Sequence, residues 1–417
     1  MEWTTEQEKA IHLSATLPKG SVLLVNAVAG SGKSTLLKGI AKASPSENIL
    51  FLAFNKAIQE HFSKWSLPNV ACYTLNAYAL YIIKTRLDIE EIDDESFLQL
   101  IRVAFGTRHF NNYIISVVSK VVSLYLNNAF AFQKGNQLRD IKNIFDNANI
   151  RLKGIQELEF LTNCQKVIRS VLDADNRCFT HDHCIHLAVR EIKRRPWETA
   201  FDKILIDEFQ DLSELNLELL DCLVKSGRSS IILTGDTGQG IYAFRGASLS
   251  VMTDIVLKYN PTITDMTYCF RCSVDVCEIA TKYRRLPVVS FSKKRSAVTY
   301  RKKKETIPQL ISYFKNGAIK TLACLHRLNK PLQEIFIELL KMNIPCFLSD
   351  ENYINWLFKT ESAERRVLMD YCSRNGIMPD AFSFKTAITM GKFVKLTTIH
   401  SSKEIGRASC RERVSSP

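Results

Sequence analysis

The sequence lacks any long apolar run and any leader-like beginning. No stretch approaches the roughly eighteen consecutive apolar residues that a membrane-spanning helix requires. The first residues, MEWTTEQEKAIH, have neither the basic start nor the apolar segment of a signal peptide. Repeats of fixed period, low-complexity segments and Gly/Ser linkers are also missing. These absences exclude membrane-spanning and repeat-array proteins and favour a globular protein that stays inside the cell.

Regular cysteine spacing is missing too. The 12 cysteines are scattered, so we expect no disulfide framework and interpret most of them as small buried hydrophobes in a reducing compartment. One crowded segment offers zinc as an alternative, with Cys178, His181, His183, Cys184 and His186. Its spacing matches no standard ligand pair and would strain a tetrahedral site, so the sequence argues against zinc there.

Charge is present in excess of one sign. A net charge of +13 favours polyanionic partners, of which nucleic acid is the commonest large one. Basic residues concentrate between 282 and 304 and include Lys282, Arg284, Arg285, Lys293, Lys294, Arg295 and the unbroken run 301–304. They either follow nucleic-acid phosphates or form a solvated face, and the sequence leaves both alternatives open.

Apolar runs of strand length alternate with helical segments along the first 265 residues. These runs cover 21–28, 48–54, 69–74, 201–209 and 229–236. The alternation predicts an α/β fold with a parallel sheet flanked by helices and with ligands at the carboxyl ends of the strands. At 417 residues the chain is long enough for two or three domains.

Three further segments complete the predicted organisation. Helical periodicity dominates 81–194 and predicts a helical insertion that interrupts a first domain formed by 1–80 and 195–265. A new series beginning with ITDMTYCF predicts a second α/β domain over 266–403. The last segment, 404–417, does not resemble natural protein sequence, and we expect it to be an artefactual tail.

The segment AVAGSGKS, Ala27 to Ser34, matches the phosphate-binding pattern G-x-x-x-x-G-K-[ST] except for its first glycine. Lys33 would neutralise the β and γ oxygens of ATP, and Ser34 would bind Mg²⁺. The alternative is a glycine-rich turn that binds nothing. The predicted nucleotide-binding residues of this segment are Ala27, Val28, Ala29, Gly30, Ser31, Gly32, Lys33, Ser34 and Thr35.

The segment KILIDEF delivers two adjacent carboxylates to the end of a predicted strand. Asp207 would hold the metal ion and Glu208 would orient the attacking water, as phosphoryl transfer requires. Acidic residues at a strand end are often only solvated, which is the alternative. The phosphate-binding segment favours the catalytic interpretation.

The segment GDTGQGIYAFRGA, 235–247, resembles the third motif of UvrD/Rep-like superfamily 1 DNA helicases, and IDEFQD, 206–211, resembles their second. The resemblance implies that Gln239 senses the γ-phosphate. It also implies that Tyr242 and Phe244 stack on DNA bases and that Arg245 supports this contact. The alternative is that both rings are core aromatics.

Other segments follow in the order of the family's motifs. Thr5–Ile11 is similar to the Q motif, which implies that Gln7 binds adenine, although Thr4 to Gln7 also fits a helix capping box. Segments 54–57 and 74–79 resemble DNA-contacting motifs, and these imply roles for Phe54, Asn55 and Thr74. Asn76 replaces the usual histidine of the second segment.

The remaining similarities lie beyond residue 265. Segment 267–273 is similar to the N-Y-R-S motif, which places Phe270 against adenine and Arg271 on the γ-phosphate from the second domain. A surface salt bridge is the alternative for Arg271. Segment 324–329 resembles L-x-R-x-N. The fifth motif begins at 397–403, where His400 would contact DNA.

Taken as a member of this family, the chain should contain two RecA-like parallel-sheet domains of the P-loop NTPase type. The resemblance implies an ATP- and Mg²⁺-dependent 3′-to-5′ motor on single-stranded DNA and duplex junctions, acting in repair or recombination. The protein would be cytoplasmic and nucleoid-associated, or nuclear in a eukaryote. FTHDHCIHLAV resembles the F-box DNA helicase branch, and the spacing between Asn329 and Thr397 leaves little room for the accessory insertion of UvrD and Rep.

The pattern departs from the family after Lys403, before the sixth motif. We therefore expect the chain as written to bind ATP and to hydrolyse it poorly. Two rival functions remain open from the sequence. One is the motor part of a helicase-nuclease, and the other is an ATP-gated DNA-binding protein that does not hydrolyse ATP.

Overall fold

A computed structural model of the chain describes residues 2–398 apart from 55, 66, 134, 149, 240–250, 297, 299–307, 309–310, 313–314, 318–321, 327 and 390–392. The chain divides into two compact units, Met1–Ser296 and Ala297–Pro417. The segment 404–417, expected to be an artefactual tail, lies outside the described residues.

The first unit is built on a parallel sheet. Its strands are β1 (Val22–Ala27), β2 (Ile49–Ala53), β3 (Val70–Thr74), β4 (Lys203–Asp207), β5 (Ser230–Gly235) and β6 (Thr262–Met266). They form one 6-stranded sheet in the order β3-β2-β4-β5-β1-β6, and every neighbouring pair is parallel. The predicted α/β fold with a parallel sheet is confirmed.

The apolar runs form strands because both faces of this sheet are covered. Alternate residues such as Leu24 and Leu52 pack into a core on one face, while Leu23 and Phe51 pack into a second core on the other. Every residue of β1 is buried. Strands covered on both faces are largely apolar, which is why they could be predicted from the sequence.

The helices of the first unit lie before, between and after these strands. They are α1 (Thr5–Ala15), α2 (Lys33–Ala43), α3 (Lys56–Ser63), α4 (Leu75–Leu87), α5 (Asp94–His109), α6 (Asn112–Asn127), α7 (Gln137–Asn147), α8 (Glu157–Leu172), α9 (His181–Arg194), α10 (Glu214–Lys225), α11 (Val251–Tyr259) and α12 (Val274–Lys282). Helices α4 to α9 fall between β3 and β4, in the segment predicted to be helical. Their core is continuous with one face of the sheet.

The end of the first unit corrects one sequence expectation. ITDMTYCF was expected to open a second α/β series, but its first residues form β6, which pairs with β1 in the first sheet. A short parallel pair follows, β7 (Tyr268–Cys269) with β8 (Val289–Ser290). The compact units divide after Ser296, whereas the predicted domain boundary lay at 265/266. The domain scheme itself remains a prediction.

The second unit contains a smaller parallel sheet. Its strands β9 (Leu322–His326), β10 (Cys346–Leu348) and β11 (Val394–Thr398) have the order β10-β11-β9. The helices around it are α13 (Asn329–Lys341), α14 (Glu351–Lys359), α15 (Ala363–Arg374) and α16 (Ala381–Thr389). Phe336, Phe384 and Leu396 are fully buried in its core.

A cavity of about 340 Å³ opens at the carboxyl ends of β10 and β11. Asn329 and Asp350 line it, together with Thr397 and Thr398 from the start of the predicted fifth motif. Among the described residues, no helix is both long enough and apolar enough to cross a membrane.

Candidate nucleotide-binding site

The turn between β1 and α2 has the backbone that a phosphate-binding loop needs. Gly30 and Gly32 adopt φ angles of 73° and 83°, in the left-handed region that favours glycine. A Cβ at Gly30 would lie 2.8 Å from Cβ of Arg271, and one at Gly32 would lie 3.0 Å from Nε2 of Gln7. Both glycines therefore permit the conformation of the loop and the close approach of its neighbours.

The start of α2 suits a bound anion. The helix has no side-chain cap at its N-terminus, so its first amides are not satisfied by a capping side chain. Lys33 is buried at the first helical position, and the buried Oγ of Ser31 has no hydrogen-bond partner among the described residues. Uncapped amides beside a lysine are the arrangement that binds phosphate, so this loop fits ATP.

Gln7 makes the contacts expected from both of its interpretations. Its Oε1 accepts a hydrogen bond from the amide of Thr4 at 3.1 Å, which completes a capping box at the start of α1. Its Nε2 donates to the carbonyl of Ser31 at 3.4 Å. The capping interpretation is confirmed, and the same side chain lies at the predicted phosphate-binding loop. The adenine contact remains a prediction.

The segment that carries Phe270 and Arg271 also lies against this loop. The amide of Phe270 donates to the carbonyl of Gly30 at 2.9 Å. The Phe270 ring is 42% exposed, and its centroid lies 4.6 Å from that of Phe291. Two partly exposed aromatic rings therefore stand beside the loop, in a position suited to a nucleotide base.

Arg271 lies in the first compact unit, although the resemblance placed it in a second domain. Its Cβ neighbours Gly30, so it starts next to the phosphate-binding loop. Within the described part of the chain Arg271 forms no salt bridge, and the salt-bridge alternative has no support there. The carboxylate of Glu6 fixes this segment, because it accepts hydrogen bonds from the amide and hydroxyl of Thr267 at 2.8 and 2.6 Å.

The acidic pair lies at the buried end of β4. Asp207 and Glu208 are 2% and 5% exposed, so they are not the solvated strand end of the alternative interpretation. Oδ1 of Asp207 accepts hydrogen bonds from the Thr234 hydroxyl and the Glu208 amide, each at 2.9 Å. Glu208 has a left-handed backbone with φ of 59°, which is uncommon for a residue with a side chain. The carboxylates are held in one orientation.

Gln210 connects this acidic pair to the segment after β5. Its Nε2 donates to the carboxylate of Glu208, and its Oε1 accepts from the amide of Asp236 at 2.9 Å. The Asp236 carboxylate accepts from the side chain of Gln239 at 2.9 Å. The candidate catalytic Glu208 and the candidate sensor Gln239 are therefore joined by a short series of hydrogen bonds through Gln210 and Asp236.

Arg284 completes this series. Its guanidinium contacts both carboxylate oxygens of Asp236, with the Nη1 to Oδ2 distance at 3.1 Å. Burial lowers the pKa of the Arg284 guanidinium from its ordinary value. The sequence offered this residue only as part of a phosphate-tracking or solvated basic cluster, and for Arg284 both alternatives are wrong. Arg295 of the same cluster is exposed and pairs with Asp275 and Glu278.

The predicted DNA-binding residues are only partly visible. Phe54 is half-buried and packs against the core beneath the sheet. Thr74 caps α4, because its hydroxyl accepts from the Ala77 amide at 3.1 Å. The others lie outside the described residues, namely Asn55, Tyr242, Phe244, Arg245 and His400. Their DNA contacts remain predictions.

Four of the five residues of the crowded segment lie in the core, and His181 is exposed. Cys178 and Cys184 are buried, as are Cys164, Cys222, Cys269, Cys277, Cys346 and Cys372, which confirms that most cysteines pack as small hydrophobes. In the part of the chain that the structure describes, no group of three or more His, Cys, Asp or Glu side chains is arranged to hold a metal ion. His183 and His186 stack with the rings of Phe179 and Phe132.

These buried histidines predict acid sensitivity. Burial, together with the positive charge of nearby Arg190, lowers the pKa of His183 and of His186 to about 3. A histidine in the unfolded chain has a pKa of about 6.5, so below that pH the unfolded chain binds protons that these histidines do not bind in the folded chain. The contribution of these histidines to the free energy of unfolding should be fully present above about pH 6.5. Towards pH 3 the free energy of unfolding should fall by up to about 1.4 kcal/mol per pH unit for each histidine. Urea unfolding across this range measures the slope.

In the variant His183→Gln the free energy of unfolding should fall less steeply with decreasing pH, because one histidine fewer binds a proton on unfolding. This holds whatever the effect of the substitution on stability at pH 7. His181→Gln is the matched control, because His181 lies on the same helix and is exposed. An unchanged slope in His183→Gln would show that this histidine does not control the acid sensitivity.

Sequence reasoning missed several residues that the structure brings to the site. Gln210 stood inside a recognised motif, and its position there was an available signal. Glu6 also stood inside a recognised motif, whereas Arg284 and Phe291 had no such signal, since each acts through a partner that is distant in sequence. Their contributions became visible only when the chain was folded.

Comparison with known proteins agrees with this geometry. Residues 3–260 match the family described as UvrD/REP helicase N-terminal domain. The chain is 28% identical over 292 residues to F-box DNA helicase protein 1 of Schizosaccharomyces pombe, covering 66% of this chain and 32% of that protein. It is 26% identical over 317 residues to the mitochondrial ATP-dependent DNA helicase HMI1 of Saccharomyces cerevisiae, covering 68% and 41%.

A bacterial relative shows the same similarity. The chain is 26% identical over 218 residues to ATP-dependent DNA helicase Rep of Buchnera aphidicola, covering 50% of this chain and 30% of that protein. In each of these comparisons the matched region spans less than half of the relative's length. The family match covers more than half of this chain and includes the phosphate-binding loop, the acidic strand end and Gln239. The chain therefore belongs to the UvrD/REP helicase family.

Proposed function

We propose that this chain is the ATP-hydrolysing motor portion of a DNA helicase that moves 3′ to 5′ on single-stranded DNA. One observation carries the proposal. The phosphate-binding loop is flanked by Gln7 and Phe270, while Gln210 and Asp236 join the acidic strand end to Gln239, all within one compact unit. The three similar proteins named as DNA helicases, two of them as ATP-dependent, support the same function.

The residues of this site divide the work of phosphoryl transfer. Lys33 and the uncapped amides of α2 hold the phosphate oxygens. The Ser34 hydroxyl and the Asp207 carboxylate are oxygen ligands of the kind that Mg²⁺ prefers. When bound, this ion supplies positive charge to the phosphates. Glu208 orients the attacking water, and Gln239 and Arg271 recognise the γ-phosphate.

The remaining parts of the chain follow from the same proposal. Helices α4 to α9 correspond to a helical insertion in the first RecA-like domain, and the second unit to part of a second one. The DNA path would use Phe54, Asn55, Thr74, Tyr242, Phe244, Arg245 and His400. The protein would act at junctions of single-stranded and duplex DNA in repair or recombination, in the nucleoid or in the nucleus.

The test is ATP hydrolysis with and without single-stranded DNA. It is measured on this chain and on the same chain extended through a sixth motif. We expect DNA-stimulated turnover in the extended chain, and its loss in Lys33→Ala because the phosphates lose their buried positive charge. Lys42→Ala is the matched control, since Lys42 is exposed on the same helix. Strand displacement on substrates with a 3′ or a 5′ tail then measures polarity.

Two outcomes would contradict the proposal. DNA binding without turnover in the extended chain would favour an ATP-gated DNA-binding protein. Turnover that persists in Lys33→Ala would show that ATP is hydrolysed elsewhere or by a contaminant.

A further inference from the structure

The ion pair between Arg284 and Asp236 lies beneath the candidate γ-phosphate sensor. Asp236 is fully buried, and the Arg284 side chain is 14% exposed. The guanidinium meets both carboxylate oxygens in the forked geometry that makes arginine pairs specific as well as strong. A buried carboxylate without such a partner would be costly, so Asp236 depends on this charge.

The same carboxylate holds the sensor. It accepts a hydrogen bond from Nε2 of Gln239 at 2.9 Å and another from the amide of Gly238 at 3.0 Å. A Cβ at Gly238 would lie 2.6 Å from Cζ of Arg284, so the chain passes directly over the guanidinium. Arg284 and Gln239 therefore both bond the carboxylate of Asp236, so a shift of that carboxylate would displace both side chains.

Arg284 also connects the sensor to the phosphate-binding loop through the chain. It follows α12, and the residues before α12 include Phe270, whose amide is bonded to Gly30. The segment is thus held at the loop before α12, through Phe270, and at Asp236 after α12, through Arg284. The backbone amide of Asp236 donates to Gln210, which in turn donates to Glu208. The ion pair thus links the segment held at the phosphate-binding loop to Asp236, Gln210 and Glu208.

We propose that Arg284 is a positioning residue that, by neutralising Asp236, holds Gln239 where it distinguishes ATP from ADP. This inference rests on the proposed function of the site. Arg284 lies outside the phosphate-binding loop, so its loss should leave the shared α- and β-phosphate contacts in place. Its effect should appear only in the contacts that the γ-phosphate adds.

The experiment compares the binding of Mg²⁺-ATPγS and Mg²⁺-ADP to the 417-residue chain. Arg284→Gln keeps a polar side chain but removes the charge. We expect it to lower the preference for ATPγS over ADP by about tenfold, the effect of losing one hydrogen bond to a charged group. ADP affinity should stay within about twofold of wild type by the same reasoning. Arg284→Lys keeps the charge without the fork and should recover part of the preference.

Arg295→Gln is the matched control, because Arg295 pairs with two carboxylates of α12 and is 66% exposed. It should leave the preference unchanged. Circular dichroism confirms folding of each variant, and if Arg284→Gln does not fold, Arg284→Lys becomes the deciding variant. A folded variant with the wild-type preference would overturn this inference alone. Wild-type chain that binds neither nucleotide would overturn the proposed function and this inference with it.

Discussion

Replacing Glu208 by glutamine should slow ATP hydrolysis by a factor of about 10²–10⁴ while leaving ATP binding intact. Glutamine has the shape of glutamate and keeps an oxygen that can accept the hydrogen bond from Gln210. The buried hydrogen-bond series should therefore survive, and only the negative charge that orients the attacking water is lost. Single-turnover hydrolysis in the chain extended through a sixth motif, measured beside nucleotide affinity, separates the two effects.

The matched control for this experiment is Glu214→Gln. Glu214 lies at the start of α10, close in sequence to Glu208, and no part of the proposed chemistry uses it. It should hydrolyse ATP at the wild-type rate. If Glu208→Gln retained that rate as well, another group would have to orient the water, and the assignment of Glu208 would be wrong.

Replacing Gly235 by alanine should destabilise the first unit by about 1–3 kcal/mol, the usual cost of overpacking a core, and should also abolish efficient hydrolysis. A Cβ at Gly235 would lie 2.4 Å from Oε1 of Gln210 and 2.5 Å from Cδ1 of Phe209. Phe209 is fully buried and cannot move aside cheaply. Gln210 must then shift, and with it the hydrogen bonds to Glu208 and Asp236. Urea unfolding and the hydrolysis rate are both measured.

Gly154→Ala provides the comparison for the added methyl group. Gly154 has open space around its Cβ position and a φ of +73°. Its replacement should cost about 1–2 kcal/mol from the left-handed backbone alone, without any change in hydrolysis rate. Wild-type stability and rate in Gly235→Ala would mean that the Gln210 contact does not constrain the site.

Most of the first sheet could be predicted from the sequence, and one strand shows why the rest could not. β1, β2, β4 and β5 are buried along their whole length, so each contains a run of at least three consecutive apolar residues in the sequence. β6 is an edge strand in which exposed and buried residues mix, with sequence TITDM. Such a strand does not indicate which sheet it joins. Its pairing with β1 therefore appeared only in the structure.

The candidate site divides in the same way. The predicted phosphate-binding loop and the acidic pair lie in contiguous segments, where each residue type and its spacing indicate the proposed chemistry. The contact of Glu6 with Thr267 and that of Asp236 with Arg284 join residues far apart in the chain. The sequence around each residue does not indicate its partner, because many side chains in the chain could form a hydrogen bond or an ion pair of this kind.

By itself, the sequence predicted the type of chemistry, since Lys33, Ser34, Asp207 and Glu208 occupy short motifs whose proposed function depends on local backbone geometry. Tertiary structure alone decided where Arg271 lies, which partner Arg284 takes and why Gly235 must be small. The physical reason is that these properties depend on burial and on distances between remote segments. A buried Asp236 carboxylate would be costly without a partner of opposite charge, and the path of the chain after α12 brings Arg284 to it.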